Sequence, residues 1–226
     1  MTTRVGVVRF PGTNCDLDAQ WAFEQLGATT EILWHGDASV GAVDAVIVPG
    51  GFAHGDYIRT GAIARFSTIM DAVAGFAAAG GPVVGICNGF QILCEAGLLP
   101  GALQKNAGLK FICDTVDVRV STTTTVLTNS TIVDQVLRSP ITHFEGNYTC
   151  AARTLDELRA DDRIVVRYVD NPNGSLDDIA GICNAGRNVV GLMPHPERAS
   201  DLLLGSADGN CLLESVLHAA GARVAL

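Results

Sequence analysis

The sequence predicts an α/β fold in a single domain, with a mostly parallel central sheet flanked by helices and an antiparallel section in the second half. Three observations lead there. Short β-branched runs alternate with longer helical stretches up to about Ala96, as strand–helix–strand units do. Those runs are apolar throughout rather than at every second position, as strands buried on both faces of a parallel sheet must be. From Phe111 onward, strand-like segments separated by turn signals replace the alternation.

Taken in order, Val5–Val8 is the first buried strand, and Asp16–Leu26 is a helix entered through the turn Pro11-Gly12-Thr13-Asn14. Thr30–Leu33 and Ala45–Val48 are the second and third strands, the latter ended by Pro49-Gly50-Gly51. A long helix over about Ala62–Ala79 leads to a fourth strand, Val83–Ile86, and then to a helix over Asn88–Ala96. In the second half, Phe111–Val120, Thr123–Leu127 and Arg163–Val169 are strands, with the threonine run Thr122–Thr125 as a strand edge. Asp156–Asp162 is a solvated surface segment, and Asn171-Pro172-Asn173-Gly174 is a turn. Val189–Met193 is a further strand, and Gly209–Ala220 is the closing helix. No internal repeat and no linker divides residues 1–226, so the whole length is taken as one domain.

Composition narrows the function. The 226 residues carry 15 Lys plus Arg against 24 Asp plus Glu, a formal charge of −9, and are 48% hydrophobic and 17% charged. Such a chain folds around a sizeable core. Its pI near 4.9 argues against a phosphate-neutralising nucleic-acid or membrane-surface binder. Small molecules and protein partners remain. The seven cysteines show no CxxC and no regular spacing, which disfavours both a zinc site and a disulfide framework and favours free thiols in a reducing compartment. Met1–Phe10 does not read as a signal peptide, so a cytoplasmic location is expected.

Ligands of parallel sheets gather at the carboxyl ends of the strands, which directs attention to the residues after Val8, Val48 and Ile86. Gly85-Ile86-Cys87-Asn88-Gly89 places a cysteine where a buried strand turns into a helix, with glycines on both sides, the pattern of a nucleophile elbow. A helix N-terminus there favours thiolate over thiol. By residue type alone, Cys87 is either that nucleophile or a small buried core residue. His195 in Met193-Pro194-His195-Pro196-Glu197 is the histidine best suited as its partner, because it ends an apolar strand and has a carboxylate two residues on. None of His35, His54 and His143 has a carboxylate held in this proline-flanked arrangement, although each could line a cleft, and His218 lies on the closing helix. The glycine pair Gly50-Gly51 can turn backbone N–H groups toward the elbow as oxyanion donors. No GxxxxGK[ST] phosphate loop occurs.

Pro-Gly-Gly, then Gly-Ile-Cys-Asn-Gly-Phe-Gln, then Pro-His-Pro-Glu resemble, in that order, the class I glutamine amidotransferases. Arg9–Asp16, Pro49–Arg59, Leu98–Leu103, Gly146–Tyr148, Asp170–Ser175 and Met193–Arg198 are similar to one group among them, the glutaminase subunits of phosphoribosylformylglycinamidine synthases, along essentially the whole chain. DJ-1/PfpI-like proteins also carry a cysteine elbow but usually lack the Pro-His-Pro-Glu element. The resemblance implies a flavodoxin-like sheet and a Cys-His-Glu triad of Cys87, His195 and Glu197. It further implies an oxyanion hole from the N–H groups of Gly51 and Asn88, and a glutamine contact from Gln91. It implies hydrolysis of glutamine to glutamate, with ammonia passed to a PurL-like synthetase subunit that uses ATP and Mg to aminate formylglycinamide ribonucleotide. A small PurS-like accessory subunit is implied too, with no cofactor and no metal in this chain. Arg9, Tyr57 and Arg59 are candidates to face such a partner. Phe144, in His143-Phe144-Glu145-Gly146, stands where related chains have glycine and either narrows the glutamine pocket or points to solvent.

Overall fold

In the computed structural model, which describes residues 2–224, the strands are β1 (Arg4–Arg9), β2 (Thr29–Trp34), β3 (Ala45–Val48), β4 (Val83–Ile86), β5 (Ala102–Gln104), β6 (Ile112–Val120), β7 (Val136–His143), β8 (Asn147–Thr149), β9 (Ile164–Tyr168), β10 (Ile179–Cys183) and β11 (Val189–Leu192). The helices are α1 (Asp16–Gln25), α2 (Thr68–Ala78), α3 (Asn88–Glu95), α4 (Ala152–Ala160) and α5 (Asn210–Val224). Nine strands form one sheet in the order β2-β1-β3-β4-β11-β10-β9-β6-β7, and β5 pairs with β8 separately. From β2 to β11 all neighbours are parallel; from β11 to β7 all are antiparallel. The α/β class and the antiparallel second half agree with the sequence.

The central parallel strands are continuously apolar because both faces are covered. Every residue of β3, β4 and β11 is buried, and together with Phe23, Phe90, Leu93 and Val216 they form one core. Register then aligns the strand ends. Val48 of β3 sits beside Gly85 of β4, and Ile86 of β4 beside Leu192 of β11. The loops leaving these three neighbours therefore emerge side by side at one edge.

Several elements differ from the sequence expectation. Thr123–Leu127 is a set of turns, not a strand. Its hydroxyls bond locally, Thr125 Oγ1 accepting from the Leu127 N–H at 3.2 Å and lying 2.7 Å from Thr128 Oγ1, so a side chain satisfies a backbone group that a strand would need for its ladder. The helix expected from Ala62 begins only at Thr68, because Ser67 is extended (φ −68°, ψ 141°) and Gly61 before it is left-handed (φ +75°). Asp156–Asp162 is not a plain solvated segment. Most of it belongs to α4, which buries Leu155 and Leu158. Strands β5, β7, β8 and β10 have no counterpart in the sequence reading. Among them β7 matters most for the site. It is the edge strand, and its first half and the second half of β6 flank the sheet, while Ile112–Thr115 pair with Pro140–His143 beyond β9. This two-stranded extension carries Thr142 and His143 back over the strand ends.

Candidate active site

Cys87 lies between β4 and α3 with φ +51° and ψ −105°, a conformation that costs a non-glycine residue of order 1–3 kcal/mol. Its surroundings enforce it. The Cys87 N–H donates to the Leu192 carbonyl at 2.8 Å, tying the elbow to β11. A Cβ on Gly89 would lie 1.8 Å from the Val48 carbonyl oxygen, and one on Gly85 would meet Leu93 and Gly89 at 2.6–2.7 Å. Both glycines are thus required by the close passage of α3 over β3 and β4. Cys87 is 5% exposed, and its Sγ lies 3.7 Å from the Thr142 carbonyl. Asn88, as the first residue of α3, has one of the N–H groups that a helix start leaves without an intrahelical acceptor.

His195 and Glu197 follow β11, each 1% exposed. The His195 N–H donates to the Pro140 carbonyl of β7 at 2.9 Å, and Nδ1 meets Glu197 Oε1 at 2.6 Å. That pairing leaves Nε2, which has no hydrogen-bond partner of its own among the described residues, to face the cysteine side. Burial alone would push His195 down. The Glu197 carboxylate, followed by Cys87 and Cys15, more than offsets it and holds the imidazole well above its ordinary range. Cys87, His195, Gly51 and Thr142 share a hollow of about 30 Å³. Gly51 (φ +149°) packs against the turn after β1, where a Cβ would meet the Asn14 nitrogen and Thr13 Cα at 2.8 Å.

A wider cavity of about 250 Å³ opens on the other side of Cys87. The loop after β3 contributes Gly51, Phe52, Asp56 and Thr60, the elbow contributes Cys87 and Gln91, and the end of β7 contributes Thr142 to Glu145. Gln91 is buried rather than solvent-facing, but its amide is engaged. Nε2 donates to the Glu145 carbonyl, and Oε1 accepts from Asn88 Nδ2 at 2.9 Å. Asn88 Oδ1 in turn accepts from the Ala53 N–H at 3.0 Å. These amides brace the cavity's two loops against α3. Phe144 is among the residues lining the cavity, and Lys105 Nζ lies 5.8 Å from the centroid of its ring.

The other sequence candidates fall elsewhere. Arg59 is bound by Glu95 through two bonds of 2.7 and 2.6 Å, and Arg9 pairs with the buried Asp16. Tyr57 is 74% exposed. His35 and His54 pack ring to ring at 5.4 Å, and His218 meets Ser130 at 2.7 Å.

Sequence reasoning missed Cys15 beside the His195–Glu197 pair and Asp56 in the cavity lining. Cys15, at the start of α1, lies against His195. The Arg198 guanidinium donates to its sulfur at 3.1 Å while binding Asp18 at 3.0 Å. Burial raises the Cys15 thiol, with His195 and Arg198 opposing. The sulfur, His195 and Glu197 present metal-type donor atoms within 4.8 Å. However, the Arg198 charge occupies the cation's surroundings, and Glu197 Oε1 is used on Nδ1, so the set fits a braced triad better than an ion. The one available signal was position, since Cys15 follows the end of β1 as Gly51 follows β3.

Comparison with known proteins agrees with this geometry. Residues 2–208 match the model of the CobB/CobQ-like glutamine amidotransferase domain. The phosphoribosylformylglycinamidine synthase subunit PurQ of Rubrobacter xylanophilus is 58% identical over 98% of this chain and all of that protein. That of Mycobacterium tuberculosis is 56% identical over 97% of this chain and 98% of its own length. A chain in the structure of PurLQS from Thermotoga maritima superposes with a TM-score of 0.89 at 42% identity, covering 96% of this chain and 99% of that one. A putative GMP synthase protein from Thermoplasma acidophilum, at 14% identity and a TM-score of 0.68, shares the fold. With the cysteine elbow, the buried histidine–glutamate pair and relatives of this identity over nearly its full length, the chain belongs to the CobB/CobQ-like glutamine amidotransferase domain family, among its PurQ members.

Proposed function

We propose that this chain is the glutaminase subunit of a phosphoribosylformylglycinamidine synthase, acting as one glutaminase domain on the glutamine carboxamide. Cys87 Sγ attacks the amide carbon, and the N–H groups of Gly51 and Asn88 receive the developing oxyanion. His195, held by Glu197, donates a proton from Nε2 to the leaving nitrogen, so ammonia departs and a glutamyl thioester remains on Cys87. A water then attacks the thioester while His195 takes its proton, releasing glutamate and restoring the thiolate. The hollow beside Cys87 and His195, about 30 Å³, is sized for one such water or ammonia molecule.

The observation that carries the reading is the left-handed cysteine between β4 and α3, sharing one hollow with a buried imidazole whose other nitrogen is bonded to a carboxylate. Gln91 acts in this reading by bracing the glutamine cavity rather than through a free amide. Ammonia passes to a PurL-like synthetase with a small PurS-like accessory protein, as the PurLQS assembly of the Thermotoga maritima relative suggests. That synthetase uses ATP and Mg to convert formylglycinamide ribonucleotide to its amidine in purine synthesis, and this chain brings no cofactor or metal of its own. The complex works in the cytoplasm; no described helix is long and apolar enough to cross a membrane.

Reconstitution with the two partner subunits, ATP and the ribonucleotide tests this. Native chain supports amidine formation from glutamine, and Cys87→Ala lowers the glutamine-dependent rate by at least about 10³-fold while leaving the ammonia-dependent rate intact. Equal loss of both rates, or full glutamine activity in Cys87→Ala, refutes the assignment.

A further inference from the structure

Cys15 is a buried thiol that the proposed reaction does not use. It is 3% exposed and stands at the N-cap of α1, yet its side chain makes no capping bond to that helix. The sulfur is engaged elsewhere. Arg198 Nη2 donates to it at 3.1 Å, and Asn14 Oδ1, at 3.7 Å, accepts its S–H. Burial, the largest influence on the thiol, raises its pKa, so the proton stays on sulfur near neutral pH. With the S–H turned to Asn14, the sulfur presents lone pairs to Arg198 and to whatever lies beside it.

What lies beside it is His195. The Cys15 sulfur, an imidazole nitrogen of His195 and a carboxylate oxygen of Glu197 are all within 4.8 Å of one another. The packing is close. A Cβ on Gly50 would lie 2.7 Å from His195 Cε1 and 3.0 Å from Cys15 Sγ, so ring, sulfur and glycine backbone leave no spare room between them. The backbone adds two ties. The Cys15 N–H donates to the Gly50 carbonyl at 3.2 Å, and Thr13 forms an antiparallel bridge with Gly51. The turn after β1 is thus fastened to the Gly50–Gly51 turn by its backbone and to the His195 loop through one sulfur. Against the effect of burial, Glu197, then Cys87, then Cys15 hold the His195 proton.

We propose that Cys15 is a positioning residue for His195: its sulfur, fixed by Arg198, seats the imidazole against the Gly50–Gly51 turn, so that proton donor and oxyanion donors keep one geometry during glutamine hydrolysis. The inference rests on the glutaminase reading and deepens it. Glu197 holds the ring at Nδ1 alone, which leaves the ring free to swing about that bond; contact with the sulfur and the Gly50 backbone removes this freedom. The sulfur's acceptor character also helps keep the ring protonated for transfer to the leaving nitrogen. Cys15 is absent from the lining of the wider cavity beside Cys87, so its influence falls on the chemical step and not on the binding of glutamine.

The test measures glutamate release against pH for wild type, Cys15→Ala and Cys15→Ser, each in the complex with the synthetase and accessory proteins. Neither substitution removes a helix cap, because Cys15 supplies none, and serine is itself a favoured N-cap residue. Cys15→Ala lowers kcat about 30-fold and leaves the KM for glutamine within about twofold of wild type. It also moves the alkaline limb of the kcat/KM profile to lower pH, since His195 acts in its protonated form and loses one of the groups that hold its proton. Cys15→Ser keeps an acceptor at the position, recovers kcat to within about fivefold of wild type and returns the limb toward its original place. The ammonia-dependent rate stays at the wild-type level in both variants. Wild-type kcat in Cys15→Ala, an unmoved limb, or a serine variant no better than alanine overturns the assignment while the glutaminase reading stands. Absence of glutamate release from the wild-type complex overturns both.

Discussion

At Cys87 the chain accepts an unfavourable backbone conformation to place a sulfur at a helix start, and at His195 it accepts a buried charge. The two are coupled. An imidazole this buried would ordinarily lose its proton, and the Glu197 carboxylate 2.6 Å from Nδ1 is the leading reason it does not. Glu197→Gln removes the charge while preserving shape. It is expected to lower kcat for glutamate release about 10²–10⁴-fold with little change in KM, read from steady-state kinetics of the assembled complex; an unchanged kcat would show that Glu197 has no part in orienting His195. The neighbourhood of His195 extends further than the triad. Arg198 spans Cys15 and Asp18, so the start of α1 braces the loop that carries the histidine.

Elements matter here through what they allow to approach. Helix α3 passes so close to β3 that Gly89 has no room for a methyl group. Gly89→Ala is therefore expected to cost about 3 kcal/mol, because the obstacle is a backbone carbonyl that cannot rotate away. In a domain of this size that corresponds to a fall in Tm of roughly 10 °C, measurable by thermal denaturation, and an unaltered Tm would mean that α3 can shift at little cost. The strands that local pattern does not reveal are hidden for identifiable reasons. Pro140 stands in the middle of β7, and a proline argues against a strand unless that strand is at an edge, which is where the tertiary structure puts it. Gly181 interrupts β10 at a register shift, and the surrounding residues are too few to reveal periodicity. The reverse difference at Thr123–Leu127 comes from β-branched composition, which cannot distinguish a ladder from hydroxyls bonded to their own turn.

For the whole molecule, the cavity's acidity has a thermodynamic counterpart. Asp56 holds its proton more tightly in the folded chain, at about 6, than in an unfolded one. Its native state thus binds the extra proton between roughly pH 4 and 6, and the associated stability is lost as pH rises through 6. Asp56→Asn removes that loss. It is expected to stabilise the chain by about 1 kcal/mol at pH 7.5, a value reduced for the group's partial exposure, and by progressively less as pH falls toward 4. Melting curves across that range check it, and a benefit that grows on acidification would reverse the sign and refute it. By itself the sequence determined the α/β class, the parallel first half, the elbow at Cys87 and the pairing of His195 with Glu197, because each depends on residues close together in the chain. Only the tertiary structure decided that β7 closes the site with His143, Phe144 and Glu145, that Cys15 reaches His195, and that Asp56 faces Glu145. Those contacts join residues far apart in the chain, Cys15 with His195 being the most distant pair, and strand register and helix packing, rather than local pattern, bring them together.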